Sequence, residues 1–304
     1  MLALTDYCRY NESLKPSLVF RLGADAGFFS EINNMLLAQL YCLDQGIRFR
    51  LYARGAQFSP EGWTGFFEPF CTESSCTFHR HYNVRDIGRS RVWALYSRIR
   101  PLLGWPLLTQ DVWIQLREPE RLRYSLPFPG WEDISLRDAL RELFRMIWRY
   151  NTATSEAVHA LIQSLSMPEH YLGMHIRAGD KNTEHPLMEA SVYIEKAEKV
   201  SSLRHAFVLT DDYDVFSHLS QHYPDWTFYT LCQPSEKGYF HRSLGAQGAE
   251  KVRDSHLRLL ASSDILERSE HFIGTFSSNP GMNMGIRMQP GQCHGVDFEN
   301  WRIW

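Results

Sequence analysis

One stretch of the chain gathers more reactive groups than any other: His175-Ile176-Arg177-Ala178-Gly179-Asp180-Lys181-Asn182-Thr183-Glu184-His185. It leaves a short apolar run and presents cations, carboxylates and imidazoles within a single turn region. A fixed arginine such as Arg177 can compensate charge growing on the oxygens of a departing nucleoside diphosphate without a metal. Asp180 and Glu184 supply carboxylates, one of which can take a proton from an attacking hydroxyl. A solvated loop ion pair, Asp180 with Lys181, accounts for the same residues equally well. Two further clusters end apolar runs. In Thr210-Asp211-Asp212 the adjacent acids point in different directions, which suits hydrogen bonding or helix capping better than joint coordination of one ion. Gly274-Thr275-Phe276-Ser277-Ser278-Asn279 leads into Pro280-Gly281 and a helix through Met288. Amides and hydroxyls at such a strand-to-helix turn cradle anions, and a diphosphate fits. Simple N-capping by Ser278 or Asn279 fits too.

These clusters need a scaffold that brings strand ends together. Residues 171–176, 206–210, 227–231 and 271–276 read as strands, with helical patterns over 190–200, 215–222 and 251–268 between them. Short strands alternating with helices imply a parallel sheet, which binds ligands beyond the carboxyl ends of its strands. Earlier, a strand at 17–22 runs through the Gly23 to Gly27 turn into a helix carrying Ile32, Leu36, Leu37, Leu40 and Leu43, then a strand at 47–53. The glycine spacing there departs from the dinucleotide fingerprint. Ser135 opens an amphipathic helix in which Asp138 completes a capping box. A helical stretch at 155–165 follows and Pro168 stops it, so the expected domains are 1–167 and 168–304. Residues 58–130 are dense in Trp, Pro, Arg and Gly and read as irregular loops, either facing an acceptor or packed as an ordinary connection.

Composition narrows the classes. The 304 residues carry 32 Lys and Arg against 35 Asp and Glu, a net charge of −3, which argues against a nucleic-acid binder working by counterion release. Hydrophobic content of 44% with 22% charged residues is that of a globular chain. No window approaches the roughly 20 apolar residues of a membrane span. The first residues lack a basic region followed by an apolar one, so the expectation is a soluble, cytoplasmic protein. The six cysteines are too sparse for a disulfide scaffold. Cys71 and Cys76 are spaced to close a small loop in an oxidising compartment, but no second pair accompanies them at metal spacing, so reduced, structural thiols are expected.

Taken in order, four motifs resemble the fucosyltransferase superfamily, most closely the alpha-1,6-fucosyltransferases of the nodulation and N-glycan core type. They are His175-Ile176-Arg177-Ala178, then Asp180-Lys181 with Thr183-Glu184, then Thr210-Asp211-Asp212, then Thr275-Phe276-Ser277-Ser278. The Gly23 to Gly27 turn and Gly62-Trp63 are similar as well. The resemblance implies an α/β, GT-B-like fold: two Rossmann-type domains, the first on the acceptor side and the second binding the nucleotide sugar, with an interdomain cleft. It implies inverting transfer of fucose from GDP-fucose to a glycan hydroxyl, with no metal and no cofactor beyond the donor. By the same resemblance Arg177 binds the diphosphate, Ser277 and Ser278 complete its cradle, and His175 lies near the guanine end. Glu184 is the general base, supported by Lys181 with Asp180 beside it. Asp211, Asp212, Asp264, Thr275, Asn279, Gly23 and Gly27 join the donor side. Two departures stand out. Ala178 replaces a second arginine, and Ser262 stands where the family has its nucleotide-recognising Asp, with Asp264 just beyond. They motivate two alternatives: the same fold using another nucleotide sugar, or a non-catalytic sugar- or nucleotide-binding module.

Overall fold

The computed structural model describes residues 2–23, 26–85, 91–117, 122–178, 188–238 and 248–303. The chain forms two compact units, Met1–Asn151 and Thr152–Trp304. In the first, the order is α1 (Leu4–Ser13), β1 (Ser17–Arg21), α2 (Phe28–Asp44), β2 (Arg48–Tyr52), α3 (Phe78–Tyr82) and α4 (Arg91–Leu103). Then come β3 (Leu107–Leu108), α5 (Thr109–Arg117), β4 (Arg123–Tyr124), β5 (Ile134–Ser135) and α6 (Leu136–Ile147). The strands β2-β1-β3 form a parallel sheet, and β4 pairs antiparallel with β5.

The strand, glycine turn, helix and strand expected over 17–53 are β1, α2 and β2. Helix α2 is buried nearly all round, with Ile32, Met35, Leu36 and Leu40 in the core and Glu31, Asn33 and Gln39 buried as well, as in a helix enclosed by protein. Polar groups left open by the short strands are met by buried asparagines. Asn11 Nδ2 donates to Phe49 O at 2.9 Å while its Oδ1 accepts from Phe49 N at 2.7 Å. Asn83 Nδ2 donates to Val19 O at 2.7 Å and its Oδ1 accepts from Thr109 N at 2.8 Å, joining α5 to β1. Ser135 caps α6, its hydroxyl accepting from Asp138 N at 3.1 Å.

The stretch 58–130 divides into two kinds of structure. Its aromatic segments are packed: Trp63 is fully buried, stacks on Phe67 with centroids 4.2 Å apart and donates its indole N–H to Glu68 O, while Phe128 and Trp131 are also buried. Residues 91–103 and 109–117 are helices rather than loops. Helical spacing was obscured in the sequence because α4 carries apolar residues on its outward side as well as its inward one.

The second unit runs α7 (Thr152–Ser164), β6 (Leu172–Ile176), α8 (Ala190–Val200), β7 (His205–Thr210), α9 (Tyr213–His222), β8 (Thr227–Tyr229), α10 (Ala249–Arg268), β9 (Phe272–Gly274), α11 (Asn279–Arg287) and β10 (Cys293–Gly295). Its five strands lie in the order β10-β9-β6-β7-β8 with parallel pairing throughout. Alternation along the strands feeds two cores, one on each face. Leu172, Met174, Ile176, Ala206 and Val208 pack with Tyr193, Ile194 and Leu219 of α8 and α9. Phe207 and Phe272 face Ile265 and Leu266 of α10 and Met284 of α11. Gly173 is fixed by this packing, since a Cβ there would stand 2.8 Å from Leu266 Cδ2 and from Ser269 Oγ. All six cysteines are free thiols. No helix among the described residues is long and apolar enough to cross a membrane.

Candidate functional site

Three of the sequence clusters leave the carboxyl edge of the five-stranded sheet side by side, because β9, β6 and β7 are neighbours. Arg177 and Ala178 follow β6 directly and are half-buried. The Ala178 N–H donates to Asp211 Oδ1 at 2.9 Å, so the first residue after Arg177 is pinned to the end of β7. Asp212 turns the other way and caps α9, its Oδ1 accepting from Asp214 N at 3.0 Å. The adjacent acids therefore diverge, one holding the β6 exit and one a helix.

On the other side of β6, His175 sits opposite Gly274 of β9, and its Nδ1 lies 3.3 Å from Ser278 Oγ. Ser278 is the N-cap of α11. Its hydroxyl donates to Thr275 O at 2.8 Å and accepts from Gly281 N at 3.3 Å and from Thr275 Oγ1 at 3.0 Å. Gly281 is required beneath this turn, where a Cβ would stand 2.0 Å from Thr275 O. The buried His175 and Ser278 thus form the back of the turn, while Ser277 and Asn279 are half-buried at its rim.

The turn does cradle an anion, and that anion belongs to the chain. Asp297, just beyond β10, accepts from Phe276 N at 2.7 Å and Phe298 N at 2.9 Å through Oδ1, and from Ser277 N at 2.8 Å through Oδ2. Two amides that the sequence offers to a phosphate are donated to this carboxylate. Sequence reasoning missed Asp297, which lies two residues past the short strand β10. Replacing Asp297 with Ala leaves these amide donors without an acceptor, at about 1–3 kcal/mol for each that stays dry. The expected result is a melting temperature lower by several degrees, with inorganic phosphate raising it more in Asp297→Ala than in the parent, as read by thermal denaturation.

Asp264 lies on α10, buried, and its Oδ1 accepts from Arg287 Nη2 at 2.7 Å. Arg287 also bonds Glu267 and Ser263. Ser262 is buried on the same helix. Gly23 and Gly27 belong to the first unit. Gly23 takes φ +74°, and its N–H donates to Glu31 Oε2 at 2.9 Å. A Cβ on Gly23 would stand 2.4 Å from the Ala56 Cβ. Glu31 is fully buried and meets Arg85 at 2.6 Å, so this turn too closes on a carboxylate of the chain. Gly27 is the N-cap of α2. Asp180, Lys181 and Glu184 lie outside the described residues. Among those described, no group of three or more His, Cys, Asp or Glu is placed to hold a metal ion.

No protein-family model and no curated protein matches the chain by sequence. Solved structures do match. A crystal structure of NodZ alpha-1,6-fucosyltransferase soaked with GDP-fucose superposes with a TM-score of 0.54, covering 90% of this chain and 93% of that one at 15% identity. The chain has the fold of this fucosyltransferase. NodZ co-crystallised with GDP gives a TM-score of 0.50 over 88% of this chain and 90% of that one at 16% identity. A mutant of Arabidopsis thaliana FUT1 in complex with GDP gives 0.53 over 93% and 72% of the two chains at 12% identity. The mixed α/β, GT-B-like architecture expected from the motifs is the one found, with a parallel sheet in each unit.

Proposed function

We propose that the chain is an inverting glycosyltransferase that moves fucose from GDP-fucose to a hydroxyl of a glycan acceptor. The observation that carries the proposal is the His175 to Ser278 contact. It sets the exit of β6, where Arg177 begins, against the turn that opens α11, within the fold of an enzyme soaked with GDP-fucose. In the reaction the acceptor oxygen bonds to the sugar C1 as the bond from C1 to the diphosphate oxygen breaks, and GDP leaves on the opposite face. Arg177 meets the charge that develops on the leaving diphosphate, and the Ser277 hydroxyl and the N-terminus of α11 add to it. Asp211 fixes where the arginine starts by holding Ala178. Glu184 takes the proton of the attacking hydroxyl, supported by Lys181, with Asp180 the other carboxylate of the segment. Inversion requires one in-line attack, hence one base facing a stabilised leaving group.

Glu184→Gln is expected to lower kcat by about 10²- to 10⁴-fold, the usual worth of a general base, while GDP affinity stays that of the parent. Steady-state kinetics beside calorimetry checks both. A comparable loss in Asp180→Asn with Glu184→Gln still active moves the base to Asp180.

One observation favours a second reading, the same fold with another nucleotide sugar. The α10 carboxylate nearest the family's nucleotide-recognising position is Asp264, and it is engaged by Arg287. Calorimetry with GDP, UDP, CMP and ADP separates the readings. The proposal expects GDP to bind tightest, and tighter binding of another base overturns the guanine assignment.

A further inference from the structure

The large apolar side chains that the described residues leave exposed all fall between Tyr82 and Leu122. Four of them, Val92, Leu95, Leu102 and Leu103, belong to α4, and at 100° per residue they share one sector of that helix. The adjoining sector is fastened to the protein: Trp93 Nε1 donates to Asp111 Oδ1 at 3.0 Å and the Tyr96 hydroxyl to Pro106 O at 2.7 Å. Helix α4 is thus packed along one sector and bare along the next. The helix ends with Leu102 83% exposed, and Gly104, with φ +62°, turns the chain so that Trp105, 43% exposed, stacks on Tyr96 with centroids 5.3 Å apart.

The charge along this segment leans positive: residues 91–111 carry Arg91, Arg98 and Arg100 against one acid, Asp111, in a chain whose net charge is −3. Arg100 is engaged by Asp111 at 2.6 Å, whereas Arg98 is exposed and flanks the apolar sector. A helix with an apolar face, flanking arginine and a tryptophan at its end has the pattern of a segment that lies in a lipid interface. Exposed apolar side chains at a helix end enter a bilayer surface directly while arginine reaches back to the phosphates. We propose that α4 and its Leu102 to Trp105 end dock this protein on the surface of an anionic lipid bilayer, without crossing it. The inference is independent of the proposed sugar transfer.

The test is co-sedimentation of the full chain with phosphatidylcholine vesicles, with and without phosphatidylglycerol. Binding to the anionic vesicles is expected, falling several-fold in Arg98→Glu and at high salt. A Leu102→Asp/Leu103→Asp double variant, altered only at exposed positions, should lose about tenfold or more of it while melting like the parent. Sedimentation no greater with anionic vesicles than without vesicles overturns the proposal. So does a concentration-dependent dimer, seen by light scattering and abolished in the double variant, because that assigns the face to a second copy of the chain.

Discussion

Replacing Arg177 with Ala is expected to lower kcat/KM for sugar transfer by about 10²- to 10³-fold, the usual worth of one positioned charge-stabilising donor, and to weaken GDP binding. The size of the effect follows from position. Arg177 is the first residue after β6, its neighbour Ala178 is held by Asp211, and the adjoining turn has committed the amides of Phe276 and Ser277 to Asp297. With those amides engaged and Ala178 in place of a second arginine, the proposed diphosphate site would depend more heavily on this one guanidinium. Arg177→Lys should recover only part of the loss, because an ammonium keeps the charge but not the planar fork that meets two phosphate oxygens. Initial rates of GDP release and calorimetric GDP affinity, measured on both variants, check this. Parental turnover and affinity in Arg177→Ala would remove the arginine from the site.

The largest effect on stability is expected at Arg287, which is 0% exposed at the end of α11. Its Nε donates to Glu267 Oε2 at 2.9 Å and its Nη2 to Asp264 Oδ1 at 2.7 Å, with Nη1 bonded to Ser263. Arg287→Met leaves two acids of α10 facing an apolar side chain, and breaking a buried pair from one side costs about 3–5 kcal/mol. For a chain of this size that is a fall in melting temperature on the order of 10 °C. Neutralising the acids together with the arginine, as Asp264→Asn/Glu267→Gln/Arg287→Met, should restore most of the loss, since replacing a whole buried ionic cluster is often near neutral. A triple variant as unstable as the single one would show that packing of the guanidinium, rather than charge, holds α10 to α11.

What the sequence disclosed depended on how local its signals were. Strands β6 and β7 were legible because each is a mainly apolar run with a polar cluster directly after it, and α6 because Ser135, Asp138 and its apolar stripe agree. β3 and β10 were not, since two or three residues cannot show a period and both are strands only through a partner: Leu107 and Leu108 pair with β1, and Cys293 to Gly295 with β9. Trp63 was legible as an aromatic in a glycine-rich segment, either packed or facing an acceptor, and it is packed, with Phe67 and Phe70 against it. At the candidate site, the alternation of strands and helices put Arg177 and the turn before α11 at one edge of a parallel sheet, as the neighbouring β6 and β9 do. It did not give the carboxylate inside the turn, because Asp297 reaches Phe276 only after α11 and β10 bring the chain back.

The most direct test of the proposed activity is incubation of the chain with GDP-fucose and a panel of glycan acceptors, read by mass spectrometry with released GDP measured in parallel. Fucosyl transfer gives an acceptor heavier by one deoxyhexose residue, with one GDP released for each product and both formed far more slowly by Arg177→Ala. A panel in which no acceptor gains mass and no GDP appears, while GDP still binds, would contradict it and leave a nucleotide-binding module in its place.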